Sequence, residues 1–431
     1  MPRITGLMVL FLLLVVLASN GYCVGSGAYR LELPDAAASA MGSAFVAQAD
    51  NPSAVYYNPA GLTQLKGNSY ISLGVGVVQP FISHESSDGQ EETKARNLVF
   101  GIPHGYVVTD FGLEKFVFGI GETSFWGLGT EWATDSFSKY AATKSTLSTQ
   151  DVMFAGAYKI NNNLSIGLSA DLVRAQIDKR KKMKQTGGAD ADFRLTGVDN
   201  NSWGYRVSTL YTLNERHSFG LMYRSPVNVE YKGHAYLDNM NNATYLALFG
   251  SSTFETDLVS NTRLPQSAVF GYCFKPNDKW KFEADAEWMD WHSVREDMIY
   301  YPAIAQGDAR RNILDSGNPN PRDWHQSMSY ALGTEYKVND KWKLRAGYFY
   351  HQTPIPQGTF DTALPDSTSN SGTLGVGYNF NKNTTFDLAY GAMFFRKRDI
   401  DNNVGGISGA DIRGEYSQFT NFYFATVTFK I

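Results

Sequence analysis

The chain has 431 residues and a formal net charge of −4, with 38 Lys and Arg against 42 Asp and Glu. That balance lends no support to nucleic-acid binding, and two cysteines, Cys23 and Cys273, are too few for a disulfide framework. Aromatic residues reach 14% and glycines number 40, yet no apolar run beyond the N-terminus approaches the ~20 residues of a membrane helix, so exported β-structure is the class to test.

Arg3, the apolar run Leu7–Leu17 and the small residues Ala18, Ser19 and Gly21 have the layout of a secretory signal peptide. Residues 1–25 are therefore expected to be removed, and the residues before Cys23 do not resemble a lipidation signal. Residues 26–67 show no alternation. Ala36–Ala44 is built of small residues, and Asp50-Asn51-Pro52 and Asn58-Pro59-Ala60-Gly61 are turn chemistry. Tyr29, Leu31, Leu33, Val46, Val55, Tyr56 and Tyr57 are too apolar for a loose extension, which predicts a plug, or hatch, packed inside other structure.

From residue 68 to 431 a period of two dominates. Trp280, Phe282, Ala284, Ala286 and Trp288 share one face, and Lys281, Glu283, Asp285 and Glu287 the other. The same alternation runs through Leu164–Leu172, Trp342–Tyr350 and Phe419–Ile431. Short polar turns near 110–114, 161–163, 214–216, 276–279, 339–341 and 381–383 alternate with long connections near 82–96, 128–148, 178–201, 234–262, 293–322, 352–371 and 398–415. Seven long and six short connections imply 14 strands. The expected fold is all-β: a transmembrane antiparallel β-barrel with short periplasmic turns and long outer loops. A soluble sandwich would need a second sheet to cover the apolar faces.

Chemistry at a reaction centre is not indicated. The seven histidines are scattered, without metal-site spacing, and no nucleophile elbow or phosphate loop occurs, so no catalytic residue, metal or cofactor is expected. Glu283, Asp285 and Glu287 read as a polar ladder of the lumen facing Glu335, Lys343 and Arg345. The basic run Lys179–Lys182 with Lys184 lies at an outer strand end, where lipopolysaccharide phosphates or anionic ligands would meet it. Leu246, Leu248 and Phe249 form an apolar patch in a long outer connection, a candidate for ligand capture.

Three stretches resemble the FadL family of outer-membrane transporters for long-chain fatty acids and aromatic hydrocarbons: Ala49–Leu62 with its Asn58-Pro59-Ala60, Ser124–Trp132, and Asn339–Tyr350 followed by Pro354, Pro356 and Leu364-Pro365-Asp366. The resemblance implies a fourteen-strand barrel, a hatch, and an inward kink in the third strand that opens the wall sideways. It maps the kink to Ser124–Gly127 and places Asn58 on the hatch beside the opening. Glycine inside a strand often marks a bulge, so Gly127 and Gly129 support the kink independently. The expected function is passive transport of a hydrophobic small molecule by a monomer in the outer membrane; the alternative is an adhesin, receptor or enzyme built on a barrel.

Overall fold

The computed structural model describes residues 27–431 except 32–33, 186, 316–317, 403 and 405–408. The expected signal peptide, with Cys23, lies outside the described residues. Fourteen strands form one closed antiparallel sheet. The first strand, Tyr70–Ser86, pairs along its whole length with the last, Gly414–Lys430, from Tyr70↔Lys430 to Ser86↔Gly414. Between them, in order, run Phe100–Thr109, a third strand in two pieces (Phe116–Thr123 and Gly127–Glu131), Lys144–Lys159, Leu164–Met183 and Ala191–Asn214. The seventh strand is His217–Arg224 with Val227–Asp238, and the eighth is Phe254–Leu264 with Ser267–Asn277. Trp280–Met289, Ser327–Lys337, Trp342–His351, Ser369–Asn381 and Thr384–Phe395 complete the wall. Pro226 and Pro265, which cannot donate to a ladder, interrupt the seventh and eighth strands at facing positions, Arg224↔Ser267 and Val227↔Leu264.

Alternation sorts the side chains as the sequence predicts. Leu168 and Leu374 point outward, 59% and 64% exposed, whereas Glu283 and Asp285 are buried inside. Closure is what lets such a sheet sit in hydrocarbon, because a free edge would leave N–H and C=O groups without partners. Several of the expected outer connections are shorter than the sequence suggests, two of them markedly. The fifth and sixth strands continue to Met183 and from Ala191, and the seventh and eighth to Asp238 and from Phe254. The basic run is thus strand: Lys182 pairs with Asp192, and Lys144, Arg180 and Arg194 surround the Asp178 carboxylate at 2.8–3.1 Å. Polar residues on both faces hid these strands, since above the membrane no face needs to be apolar.

The segment from Gly27 to Gly67 lies in the lumen. Asp35 caps a short helix, Ala36–Ala40, by accepting from the Ala38 amide at 2.9 Å. A second helix, Ala54–Tyr57, and a 3₁₀ turn, Pro59–Leu65, follow. The small residues at 36–44 allow the segment's backbone to touch the wall where the wall is glycine. A Cβ on Gly333 would lie 2.6 Å from the Met41 carbonyl oxygen, and Gly42, at φ +65°, sits equally close to the Tyr348 backbone. Gly333→Val should therefore push the segment off the wall while the outer face is unchanged. Proteinase K digestion of purified protein should cut the 27–67 segment about tenfold faster in the variant, a loss of ~1.4 kcal/mol of local protection. An unchanged digestion pattern would mean the close contact is not what seats the segment.

Candidate functional site

Residues 45–48 are outside regular structure, so their amides need acceptors. The ninth strand supplies them. Asp285 Oδ2 accepts from the Phe45 and Val46 amides at 2.9 and 3.2 Å, and Glu283 accepts from Ala47 and Gln48 at 2.6 and 2.9 Å. Glu287 pairs with Arg30, and Lys281 with Asp50 at 2.5 Å. Four consecutive inward side chains of one strand thus grip the N-terminal segment. This corrects the expected ladder in part. The partner of Glu335 is Lys281 at 3.4 Å, together with Arg345 at 2.7 Å and Lys343 at 3.6 Å, while the three ninth-strand acids face the segment instead. Farther out, Asp366 accepts from the Gly27 and Ala28 amides, both at 3.1 Å. Burial raises the Asp366 carboxyl above its usual range, against the pull of these amides and of Thr353.

Asn58 is fully buried and clamps three backbones. Its Nδ2 donates to Val46 O at 2.7 Å and to Thr209 O of the sixth strand at 3.0 Å, and its Oδ1 accepts from the Ala60 amide at 3.1 Å. The Ala60 amide also reaches Ser208 Oγ at 3.0 Å, and Pro59 packs on Gly167 of the fifth strand. Asn58, Pro59 and Ala60 therefore meet the fifth- and sixth-strand wall. Two residues earlier, Tyr56 does meet the kink: its ring centroid lies 5.7 Å from that of Phe125.

The third strand pairs with the second only from Glu122↔Gly105 to Phe118↔Thr109. At 124–126 it leaves the ladder. Ser124 Oγ donates to Thr149 O (2.7 Å), the Phe125 amide to Asp151 Oδ2 (3.0 Å) and the Trp126 amide to Thr149 Oγ1 (3.1 Å), so fourth-strand side chains replace backbone partners. On the other edge the N-terminal segment fills in. The Gly127 amide donates to Tyr29 O and the Leu31 amide to Phe125 O, each at 2.7 Å. Phe125 reaches across the lumen to Arg224 of the seventh strand, whose guanidinium carbon is 3.4 Å from the ring centroid. Among the described residues, no ladder joins Phe100–His104 of the second strand to Thr123–Thr130. The wall is rejoined farther out, where the Arg96 amide donates to Glu131 O at 2.8 Å. The unpaired window is small: the Phe100 ring lies against Gly129. Ser124 and Gly127 thus bracket the break, and a Cβ on Gly127 would meet Leu31 Cδ1 at 2.7 Å.

Three cavities follow one another from the outer side to this break. The outer one, about 720 Å³ including its mouth, is walled by Phe193, Leu195 and Leu314 on one side and Lys179, Lys181 and Arg322 on the other. There Arg322 pairs with Asp297 at 2.7 Å and Asp361 at 3.1 Å. Burial pushes the Asp297 carboxyl up, but Arg322 and Lys179 outweigh it and hold it well below the usual range. A middle cavity, about 360 Å³ including the space open at its edges, shares Lys179 and Arg322 with the first and adds Tyr29, Leu128, Ile177 and Tyr231. The lumen cavity, about 560 Å³ on the same measure, touches Arg30, Tyr56, Phe125, Arg224 and Phe349. It is not purely apolar, since Arg30, Asp285, Glu287 and His351 also line it.

Leu246, Leu248 and Phe249 sit on an outer helix, Ala243–Phe249, capped by Asn242 and closed by Gly250 at φ +72°. Leu246 is 37% exposed, while Phe249 packs on Phe254 at 4.9 Å. Phe249 packs on the outer apolar cluster of Phe193, Leu195, Leu237 and Leu314, and none of the three lines the cavity itself. The cavity residues Lys179, Arg322 and Arg224 were not singled out individually from sequence; only the basic run pointed toward Lys179. Alternation marks the acids that hold the segment as inward-facing but does not show what they face.

A family model described as outer membrane protein transport protein (OMPP1/FadL/TodX) matches residues 24–430. The long-chain fatty acid transport protein of Escherichia coli K12 is 24% identical over 419 residues, covering 87% of this chain and 89% of that protein. Outer membrane protein P1 of Haemophilus influenzae is 23% identical, with 86% and 87% covered. Among solved structures, a Pseudomonas aeruginosa FadL homologue superposes with a TM-score of 0.81 at 18% identity over 93% of this chain and 99% of that one, and the Pseudomonas putida toluene transporter TodX with 0.69 at 20% identity over 94% and 99%. These likenesses confirm the fold.

The grip of the ninth strand generates a prediction. In the double variant Glu283→Gln, Asp285→Asn the amides at 45–48 keep acceptors but lose charge-assisted bonds, at a cost of about 1 kcal/mol or more per site. In planar bilayers the variant should show openings at least tenfold more often than wild type. Identical closed traces would show that these carboxylates do not hold the segment in place.

Proposed function

Because the chain belongs to the outer membrane protein transport protein family (OMPP1/FadL/TodX), we propose that it carries hydrophobic small molecules, long-chain fatty acids or aromatic hydrocarbons, across the outer membrane by passive diffusion. The observation that carries this reading is the break at Ser124–Trp126, which lies between the lumen cavity and an unpaired stretch of wall. An adhesin, receptor or barrel enzyme would leave that break without a role. In this reading residues 1–25 are the signal peptide, 26–67 the hatch and 68–431 the barrel. The protein works as a monomer without chemistry of its own, and the outward cations Arg180, Lys182 and Arg194 meet lipopolysaccharide phosphates.

Magnitudes favour a dry sideways route. A chain of about fifteen methylenes gains roughly 12 kcal/mol by leaving water, at ~0.8 per CH₂. A path of cavities ending at the bilayer returns the molecule to hydrocarbon without spending that free energy. Capture begins at the outer cavity, with Leu246, Leu248 and Phe249 at its approach. The ligand then passes Tyr29 and Leu128 to the lumen cavity and leaves past Gly127 between the second and third strands. The motive force is the ligand's own gradient.

Uptake of a labelled fatty acid by cells with matched surface expression tests this reading. Gly127→Leu narrows the window and displaces Leu31, so uptake should fall at least tenfold while the protein keeps its heat-modifiable gel mobility. Normal uptake by a well-assembled variant would reject the lateral route. Asn58→Ala leaves Val46 O without its side-chain partner and removes the bond that ties the segment to Thr209 O, a loss of about 1–3 kcal/mol. It should loosen the hatch and lower uptake severalfold with the barrel intact, and wild-type uptake would reduce Asn58 to a turn residue.

A further inference from the structure

We propose that lipopolysaccharide docks on the outer face of the fourth to sixth strands, beside the third-strand break, with its anionic head group on Lys144, Arg174, Arg180 and Arg194 and its acyl chains across the unpaired window. The inference rests on the reading above, which puts lipopolysaccharide phosphates on outward cations, and adds the seat, its lower member Arg174 and its place over the exit. Alternation fixes the face. Val173, Ala175 and Ile177 of the fifth strand are buried, and Ile177 lines the middle cavity, so Arg174, Asp178 and Arg180 point out of the barrel. Lower on that outer face Leu164, Ile166, Leu168 and Leu172 form the apolar run that meets hydrocarbon. Arg174 is the first outward residue above this run. It is exposed, its neighbour on the fourth strand is Gln150, and among the described residues no carboxylate pairs with it.

Farther out, cations outnumber acids. Lys144 of the fourth strand, Arg180 of the fifth and Arg194 of the sixth converge on the single carboxylate of Asp178, at 2.9, 2.8 and 3.1 Å. Three cations on one acid leave a positive surplus, and Asp178 fixes their positions before any ligand arrives. Arg180 and Arg194 stand directly opposite each other, 43% and 46% exposed. Like charges so placed repel unless an anion joins them. Arginine forks and a lysine are the groups that bind phosphate and carboxylate, and basic clusters just beyond hydrocarbon recognise anionic lipid head groups. Arg174 lies six residues below Arg180, about 20 Å along the strand. That separation suits a lipid with phosphate at the hydrocarbon edge and anionic core sugars farther out. A free phosphate could use the cations but not the apolar face beneath them. The place follows from register: on the same fourth strand, Ser148 pairs with Gly127 and Lys144 with Glu131. Glu131 in turn holds Arg96 at 2.9 Å, where the wall rejoins above the window. Acyl chains hanging from this seat would lie across Phe100–His104, the stretch of the second strand that no ladder joins to the third.

Native mass spectrometry of the full-length protein, stripped of lipid and given either deep-rough lipopolysaccharide or phosphatidylglycerol at equal concentration, tests the seat. Wild type should hold lipopolysaccharide at least tenfold more tightly than phosphatidylglycerol. The triple variant Arg174→Gln, Arg180→Gln, Arg194→Gln should lose at least tenfold of that affinity. Excess inorganic phosphate should leave the lipid bound, and displacement by phosphate would mean a site for free anions only. A nitroxide on Gly101→Cys reports the place, since a Cβ there meets nothing within 4 Å and Cys273 is buried. Lipopolysaccharide should slow this nitroxide in the otherwise wild-type protein and not in the triple variant. Equal affinity of wild type for the two lipids, binding unchanged by the triple substitution, or a nitroxide that ignores bound lipopolysaccharide overturns the proposal. Should the triple variant fail to assemble, Arg174→Gln alone decides: at least threefold weaker binding supports the seat, and unchanged binding overturns it. None of these readouts involves the transported molecule, so uptake of labelled fatty acid by the same proteins tests the transport reading separately.

Discussion

Everything in this barrel depends on one constraint: a backbone polar group facing hydrocarbon must find its partner within the protein. Among the described residues, the ladders along the membrane wall are continuous apart from the proline interruptions of the seventh and eighth strands and the break between the second and third, and the closing pair of first and last strands leaves no edge. The third strand is the exception, and the way its broken ladder is repaired organises the interior. Thr149 and Asp151 take over on one side, and Tyr29 and Leu31 on the other. Because the second set of partners belongs to the N-terminal segment, the kink and that segment cannot move independently. Tyr29 in turn packs against Trp324 and Trp291, and Trp291 against Trp126, so the break is braced by a buried aromatic group on its outer side.

The segment itself is held by polar bonds more than by apolar packing alone. Its amides at 45–48 meet Asp285 and Glu283, its Asn58 side chain meets the Thr209 carbonyl, and its closest backbone approaches fall on wall glycines. Such contacts are directional and individually worth only about 1–3 kcal/mol, which suits the hatch role proposed for this segment. Arg30 joins the two halves of this system, since its backbone bridges Trp126 at the kink and its side chain pairs with Glu287 of the ninth strand.

The barrel was legible because hydrocarbon imposes a strict period of two; Trp280–Trp288 and Leu164–Leu172 announce both faces. Where that pressure ends, the signal ends, and the outer extensions of the fifth to eighth strands read as loops. Gly127 was legible as an interruption of a strand, and Asn58-Pro59-Ala60 as turn chemistry. Their partners were not, because Thr209 and Ser208 lie about 150 positions away in the chain and no local pattern encodes such a contact. The role of Glu283 and Asp285 is hidden for the same reason: an inward acid looks alike whether it faces a cation on the next strand or an amide of the N-terminal segment. Arg224, one arginine at an inward strand position, carries no sequence mark that separates it from Arg206.

The central claim is that ligand leaves through the wall at the third-strand break. It is tested most directly by photo-crosslinking a diazirine-bearing fatty acid in intact outer membranes and mapping the labelled peptides. The account predicts label on Phe100–His104 and on Phe125–Thr130, in addition to the cavity residues. Label that skips both stretches and gathers at the inner mouth, around Lys66–Asn68 and the 110–115 turn, would contradict it.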